Sequence, residues 1–306
     1  MEAIAVQGQD SGPHGVPIAA DAGDGHPGWD PDLGEPLVPG FLAWDTMTIG
    51  HHRETWLCWS VDLWAPAVVK IVRPVWKPSW TEALDREVRA LGAVAHPALP
   101  RLLADDRYGD VPHIAVEYLD GPALDQCIDA DGTFPAADVA RLGVLVLGAL
   151  RALHAAGHAH LDLSPTNVLL VDRRPRLVDL GASRPLGSWL EPGEALGTDG
   201  YRAPELDGAP GAVVTAAADV YSLGAVLLRI LDRASEGADA LAGRLGVLTD
   251  PDPGRRPGTD LALSSLIRKA GAGASRPWPR WADRHLPPAP RQPRRRAARP
   301  VAVAAG

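Results

Sequence analysis

Hydrophobic and polar positions change their rhythm along this chain. Residues 43–49 (AWDTMTI), 54–62 (ETWLCWSVD) and 66–72 (PAVVKIV) are rich in β-branched and aromatic side chains. The turn-like stretches GHHR and LWAP separate them, a pattern that predicts three sequential antiparallel strands. In the next segment, WTEALDREVRALGAV, Leu84, Val88 and Leu91 fall at helical spacing, with Thr81 as the candidate N-cap. Two more short strands are predicted near RLLADDR and PHIAVEYL, which would complete a five-stranded sheet with one helix. From Asp138 the pattern becomes helical. AADVARLGVLVLGALRALHAAG is apolar on a broad face and ends near a glycine, and DVYSLGAVLLRILDRA, GADALAGRLGVLT and TDLALSSLIRKAG are further helices. The expected class is α+β, a small antiparallel sheet lobe followed by a larger helical lobe, with the cleft between them as a natural ligand site.

Residues 1–40 are rich in Gly, Pro and Asp, hold no sustained period, and are expected to be disordered or loosely tethered. Residues 274–306 are Pro- and Arg-rich and equally aperiodic, which predicts a solvated extension or a basic arm that docks an acidic partner. The folded domain is therefore expected over 41–273, with the small lobe at about 41–117 and the large lobe at about 120–273. A hydrophobic content of 46% suffices for a core, and a net charge of -8 argues against a general nucleic-acid binder. Cys58 and Cys127 are too few for a disulfide framework and are expected to be reduced and half-buried. The N-terminus lacks the basic start and apolar run of a signal peptide. The longest apolar stretch is interrupted by Gly and Arg, so no membrane span and a cytoplasmic location are expected.

Several polar residues interrupt these patterns. Lys70 sits inside the apolar strand AVVKIV, where a buried ammonium needs an anion, although alone it reads more readily as an edge-strand charge. The loop HLDLSPTN places Asp162 and Asn167 five positions apart, and LVDLGAS, GTDGYRAPEL, DVYSLG and DPDPGRRPG follow in order. Together these motifs resemble the catalytic domain of the protein kinase superfamily, closest to bacterial Ser/Thr kinases, over about residues 41–273. The resemblance implies a two-lobed fold that uses ATP with Mg²⁺, or Mn²⁺, and acts on protein substrates. Lys70 would grip the α- and β-phosphates and Glu87 would position it, although Glu82 and Asp85 lie on the same helix. Asp162 would accept the hydroxyl proton, and Asn167 and Asp179 would be metal ligands. Gly50, Leu57 and Val68 would line the nucleotide, with Val116 at the back of the pocket and the backbone of Glu117 and Leu119 meeting adenine. Thr198 would brace the catalytic loop, Asp219 would support it from below, and Arg256 would pair with Glu205. His160 is expected in the core, and His51 and His52 lack further ligands for a metal site.

The chain also departs from the family pattern. Where a phosphate-covering loop reads G-x-G-x-x-G-x-V, residues 50–57 read GHHRETWL, with Cβ atoms where glycines would let backbone approach phosphate. Weakened ATP binding is expected, or contact to phosphate through the side chain of Arg53 or a histidine. Leu161 replaces an arginine that ties the loop to a phosphorylated activation segment. Ser164 replaces a lysine that neutralises the γ-phosphate, a loss on the order of 10² to 10³ in rate unless another cation substitutes. Little room remains for the helix that kinases insert after LLRILDRA. The leading expectation is a slow protein Ser/Thr kinase. The alternatives are a catalytically impaired kinase-fold scaffold, favoured by the glycine-poor loop, and a small-molecule phosphotransferase, opposed by Ala203-Pro204-Glu205 and Arg256.

Overall fold

The computed structural model describes residues 18–19, 27–74, 77–172, 174–191, 196–207 and 211–270. Most of the expected N-terminal segment, residues 1–17 and 20–26, and the whole of the expected tail 274–306 lie outside the described residues.

The small lobe is built on an antiparallel sheet of β1 (Pro36–Val38), β2 (Phe41–Ile49), β3 (Arg53–Ser60), β4 (Ala65–Val72), β5 (Leu102–Asp106) and β6 (His113–Glu117). Its order is β1-β2-β3-β4-β6-β5, one strand more than expected. The alternation along β3 is complete: Glu54, Trp56, Cys58 and Ser60 are buried on one face, while Arg53, Thr55, Leu57 and Trp59 lie on the other. Pairing of Thr55 with Lys70 and of Leu57 with Val68 carries that second face onto β4.

The buried face explains the extra strand and corrects the expected boundary at residue 41. Trp29, Leu37, Val38 and Phe41 pack against Trp56, Cys58, Ala67, Val69 and Ile71 and close the outer side of the sheet. Trp29 also donates through Nε1 to the Val72 carbonyl at 2.7 Å and through its backbone N–H to Glu54 Oε1 at 3.1 Å. The Trp56 indole satisfies the other Glu54 oxygen at 2.8 Å. Trp29, Leu37 and Val38 are therefore packed core, while residues 32–36 between them are exposed, because an apolar sheet face needs a cover and one tryptophan with two aliphatic side chains supplies it.

Helix α1 (Glu82–Ala93) follows a 3₁₀ turn over Pro78–Thr81 and buries Leu84, Glu87, Val88, Ala90 and Leu91. Thr81 occupies the N-cap position as expected but makes no side-chain capping bond, since the preceding turn leaves its backbone already helical. Glu82 and Asp85 in the first turn favour the helix N-terminus electrostatically.

The large lobe contains α2 (Leu124–Asp131), α3 (Ala136–Ala155), α4 (Ala216–Ile230), α5 (Ala238–Leu248) and α6 (Thr259–Ala270). Short strand pairs are formed by β7 (His158–Ala159) with β10 (Arg184–Pro185), and by β8 (Val168–Val171) with β9 (Arg174–Leu177). Helix α3 runs through the core, and Gly143 lets α4 and α6 come close: a Cβ there would stand 2.6 Å from Leu227 and 2.9 Å from Leu266. Helix α5 begins shortly after α4 ends, in keeping with the expected trimmed lobe. Cys58 and Cys127 are free thiols and fully buried rather than half-buried. Burial pushes their pKa values up to about 12 and about 11, Cys127 also facing Asp131 and Asp125. Among the described residues no helix is long and apolar enough to cross a membrane.

Candidate active site

The upper wall of the cleft is the second face of the sheet. On it, Lys70 Nζ meets both carboxylate oxygens of Glu87 at 2.8 and 2.7 Å and Asp179 Oδ1 at 2.9 Å. The choice among three acids on α1 is thereby resolved. Glu82 pairs with Arg86 and Asp85 with Arg89, whereas Glu87 is fully buried and turned to Lys70. Burial works against the Lys70 ammonium, but Asp179 and Glu87 together outweigh it and raise its pKa. Lys70, helped by Arg53, holds the Asp179 carboxyl well below the usual carboxylate range against its own burial.

Leu57 and Val68 sit side by side on the Lys70 face, with Val116 paired to Val68 from β6 and buried behind it. Past β6 the chain crosses to the large lobe. The Glu117 N–H is taken by the Arg101 carbonyl at 2.8 Å, and its carboxylate faces Arg101 and Arg176, so neither points to a ligand in the cleft. Leu119 is buried.

On the lower wall, the loop over His160–Asn167 hangs from Asp219, a fully buried carboxylate on α4. It accepts from the backbone N–H groups of His160 and Leu161 at 2.8 Å each and faces His154 Nε2 at 2.7 Å. Its burial would raise the pKa, but His154 and the loop donors outweigh this and lower it. The His160 ring accepts from the Asp162 N–H at 3.3 Å and reaches the Val178 carbonyl at 3.2 Å, so it joins the loop to the strand ahead of Asp179. Asp162 is gripped from two sides: Thr198 Oγ1 donates to Oδ1 at 2.7 Å, and Asn167 Nδ2 donates to the Asp162 carbonyl at 2.8 Å and to Oδ2 at 3.2 Å. Asp179 adopts a left-handed backbone, φ 60°, that starts the Leu180–Ala182 turn, and Arg86 on α1 holds this turn through the Gly181 carbonyl at 2.9 Å.

The segment leading to Glu205 is anchored by apolar packing. Leu161, also left-handed at φ 65°, packs with Leu190, Leu196, Ala203, Leu206, Val214 and Ala218. An apolar cluster thus occupies the place where an arginine pocket would be. Gly197, at φ 100°, passes so near that a Cβ would stand 2.8 Å from the Leu161 carbonyl. Arg256 forms a two-bond fork with Glu205 at 2.6 and 2.7 Å and lies over the Tyr221 ring. Sequence reasoning read the loss at Leu161 but not this cluster, whose members lie far apart in the chain.

At the phosphate-covering position the structure has a tight turn instead of a glycine arch. The Gly50 N–H donates to the Arg53 carbonyl at 2.9 Å, and His52 stacks on Trp80 ahead of α1 with ring centroids 4.6 Å apart. A cavity of about 430 Å³ lies between this turn and α1, lined by His52, Arg53, Trp80, Arg86 and Asp179 among others. Ser164 is fully buried with its hydroxyl 2.8 Å from that of Thr166, so position 164 offers no cation to the cleft.

Comparison with known proteins agrees with this geometry. The protein kinase domain model matches residues 50–236. The probable serine/threonine-protein kinase PkwA of Thermomonospora curvata is 31% identical over 193 residues, covering 61% of this chain and 26% of that protein. The serine/threonine-protein kinase PknG of Mycolicibacterium smegmatis is 30% identical over 298 residues, covering 83% of this chain and 37% of that protein. The chain thus spans well under half the length of these curated relatives. A solved kinase domain superposes with a TM-score of 0.63 at 18% identity, covering 79% of this chain and 97% of that one, which shows the two-lobed fold. With the motifs in order and their side chains in contact, the chain belongs to the protein kinase domain family.

Proposed function

We propose that this chain is a serine/threonine protein kinase that transfers the γ-phosphoryl group of ATP, with Mg²⁺, to protein hydroxyls. The observation that carries the reading is the Lys70–Glu87 pair standing beside Asp179, with Asp162 and Asn167 bonded together on the opposite wall. Buried charges with no ligand to serve lower stability, so their retention as an assembled set favours use.

The donor set fits the nucleotide and its metal. Asp179 and Asn167 offer the hard oxygens Mg²⁺ takes, and the buried Nη1 of Arg53 has no hydrogen-bond partner. When bound, Mg·ATP supplies the phosphoryl group and the metal charge that offsets its oxygens. Lys70, oriented by Glu87, holds the inner phosphates. Leu57, Val68 and Val116 enclose the base. Asp162, fixed in orientation by Thr198 and Asn167, orients the substrate hydroxyl and accepts its proton. Leu161 in its apolar cluster keeps the activation segment in place without phosphorylation.

A second reading, a kinase-fold binding module without catalysis, is favoured by the tight turn at Gly50 and the buried Ser164. A small-molecule phosphotransferase is opposed by the Glu205–Arg256 fork. The test is incubation of purified protein with labelled ATP, Mg²⁺ and generic protein substrates, alongside Asp162→Asn. Label transferred to Ser or Thr by the wild type and lost in the variant supports the kinase. Equal signal in both, or none in either, removes it.

A further inference from the structure

We infer that Arg53 supplies, from the upper wall, the cation toward the terminal phosphate of ATP that the catalytic loop lacks at Ser164. The inference rests on the kinase reading and adds a phosphate-binding residue to it.

The strand register sets the direction. Arg53 shares a face of β3 with Thr55, and Thr55 pairs with Lys70, so the Arg53 side chain leaves the sheet on the side where Lys70 meets Asp179. The guanidinium comes to rest over the Asp-Leu-Gly turn. A Cβ on Gly181 would lie 2.9 Å from Arg53 Nη1 and 3.5 Å from Nη2, so the absence of a side chain at 181 makes the room. Nη1 is buried there with no hydrogen-bond partner, a charged donor close to the Asp179 carboxylate, and both residues line the cavity of about 430 Å³ beneath the turn. That is a costly state for an arginine alone and a useful one for an arginine awaiting phosphate oxygens.

The neighbouring residues do not compete for the role. His52 is committed to its stack on Trp80, and His51 is exposed at the tip of the turn. Ser164 is fully buried against Thr166. Lys70 is engaged by Glu87 and would hold the inner phosphates, whereas Asp179 would hold the metal that neutralises the phosphate oxygens. A guanidinium next to Asp179 is therefore placed for the outer end of the triphosphate. A glycine-rich loop reaches phosphate with backbone N–H groups. This turn, held down on Trp80, reaches it with a planar fork of side-chain donors.

The two nucleotides separate this role from general support of the fold. The full chain is titrated calorimetrically with Mg·ATP and Mg·ADP as wild type, Arg53→Gln and Arg53→Lys, with melting curves as the folding control. Arg53→Gln is expected to weaken Mg·ATP by roughly 10- to 100-fold, as loss of a charge-assisted contact does. Mg·ADP should change by less than about threefold, and Arg53→Lys should recover part of the ATP affinity, being a point charge without the fork. Equal losses for both nucleotides would overturn the assignment. So would tighter ATP binding by Arg53→Gln, which would make Arg53 a plug in the metal's place. A wild type that binds neither nucleotide overturns the kinase reading along with this one, whereas binding with an unchanged ATP-to-ADP ratio in Arg53→Gln overturns this inference alone.

Discussion

In the lower wall of the cleft, Asp162, Asn167 and Thr198 hold one another through bonds of 2.7 to 3.2 Å, and buried Asp219 ties the loop to α4. In the upper wall Lys70 and Glu87 keep such a pairing, and the turn ahead of them carries His52 and Thr55 where the family pattern has glycines. The contrast follows from what each wall does. In the proposed reaction Asp162 handles a proton and must be held to a fraction of an ångström, and each of its neighbours is fixed by the same bonds. A phosphate clamp needs positive charge and donors near oxygens, and those can come from backbone or side chain. One wall tolerates little change; the other can be rebuilt with different residues.

That difference predicts where substitutions hurt. Arg256→Ala should destabilise the large lobe by about 3–5 kcal/mol, since it strands Glu205 against the underside of the activation segment. Chemical denaturation measures it, and a loss under about 1 kcal/mol would mean the fork is dispensable. Leu161→Ala should cost about 2–5 kcal/mol by opening the apolar cluster, with the segment around 186–206 becoming the first site of limited proteolysis. Unchanged protease sensitivity would show that something else anchors that segment. On the upper side, Trp29→Phe keeps the packing but removes the donor to the Val72 carbonyl, for an expected loss of about 1–2 kcal/mol in a melting curve. An unaltered melt would show that the bond to Val72 adds nothing.

Acid should reach the lower wall through Asp219. Its folded pKa is depressed, so at a given acidic pH the unfolded chain binds more protons than the native one, and stability falls as pH falls. Its contribution is complete above the ordinary carboxylate range of about 4 and drains below it. Asp219→Asn should flatten that acid limb, and a limb of unchanged slope would assign it to other carboxylates.

The contacts of the site were legible in the sequence wherever a short motif carries them. The structure brings Asp162, Asn167 and Thr198 together, sets Asp179 against Lys70 and Asp219 beneath the loop, and joins Glu205 to Arg256, each through bonds to nearby loop backbone or to one fixed partner. Glu87 needed the fold, since Glu82 and Asp85 occupy the same helix and only packing decides which one turns inward. Trp29 was hidden for a different reason. A composition dominated by Gly, Pro and Asp reads as unstructured, yet the decisive contacts of Trp29 are to residues 25 and 43 positions away. The same holds for Leu161, read as a missing arginine when its partners were leucines brought in by the fold.

The central claim is that both walls together hold Mg·ATP, and a melting titration tests it most directly. A ligand that binds the native state raises its stability, by about 2.7 kcal/mol at a hundredfold excess over Kd. Wild-type protein should show a rise in Tm with ATP that grows on adding Mg²⁺, is reversed by chelating the metal, and loses its Mg²⁺ dependence in Asp179→Asn. No shift at millimolar Mg·ATP, or a shift that Asp179→Asn leaves equally dependent on Mg²⁺, would contradict the account.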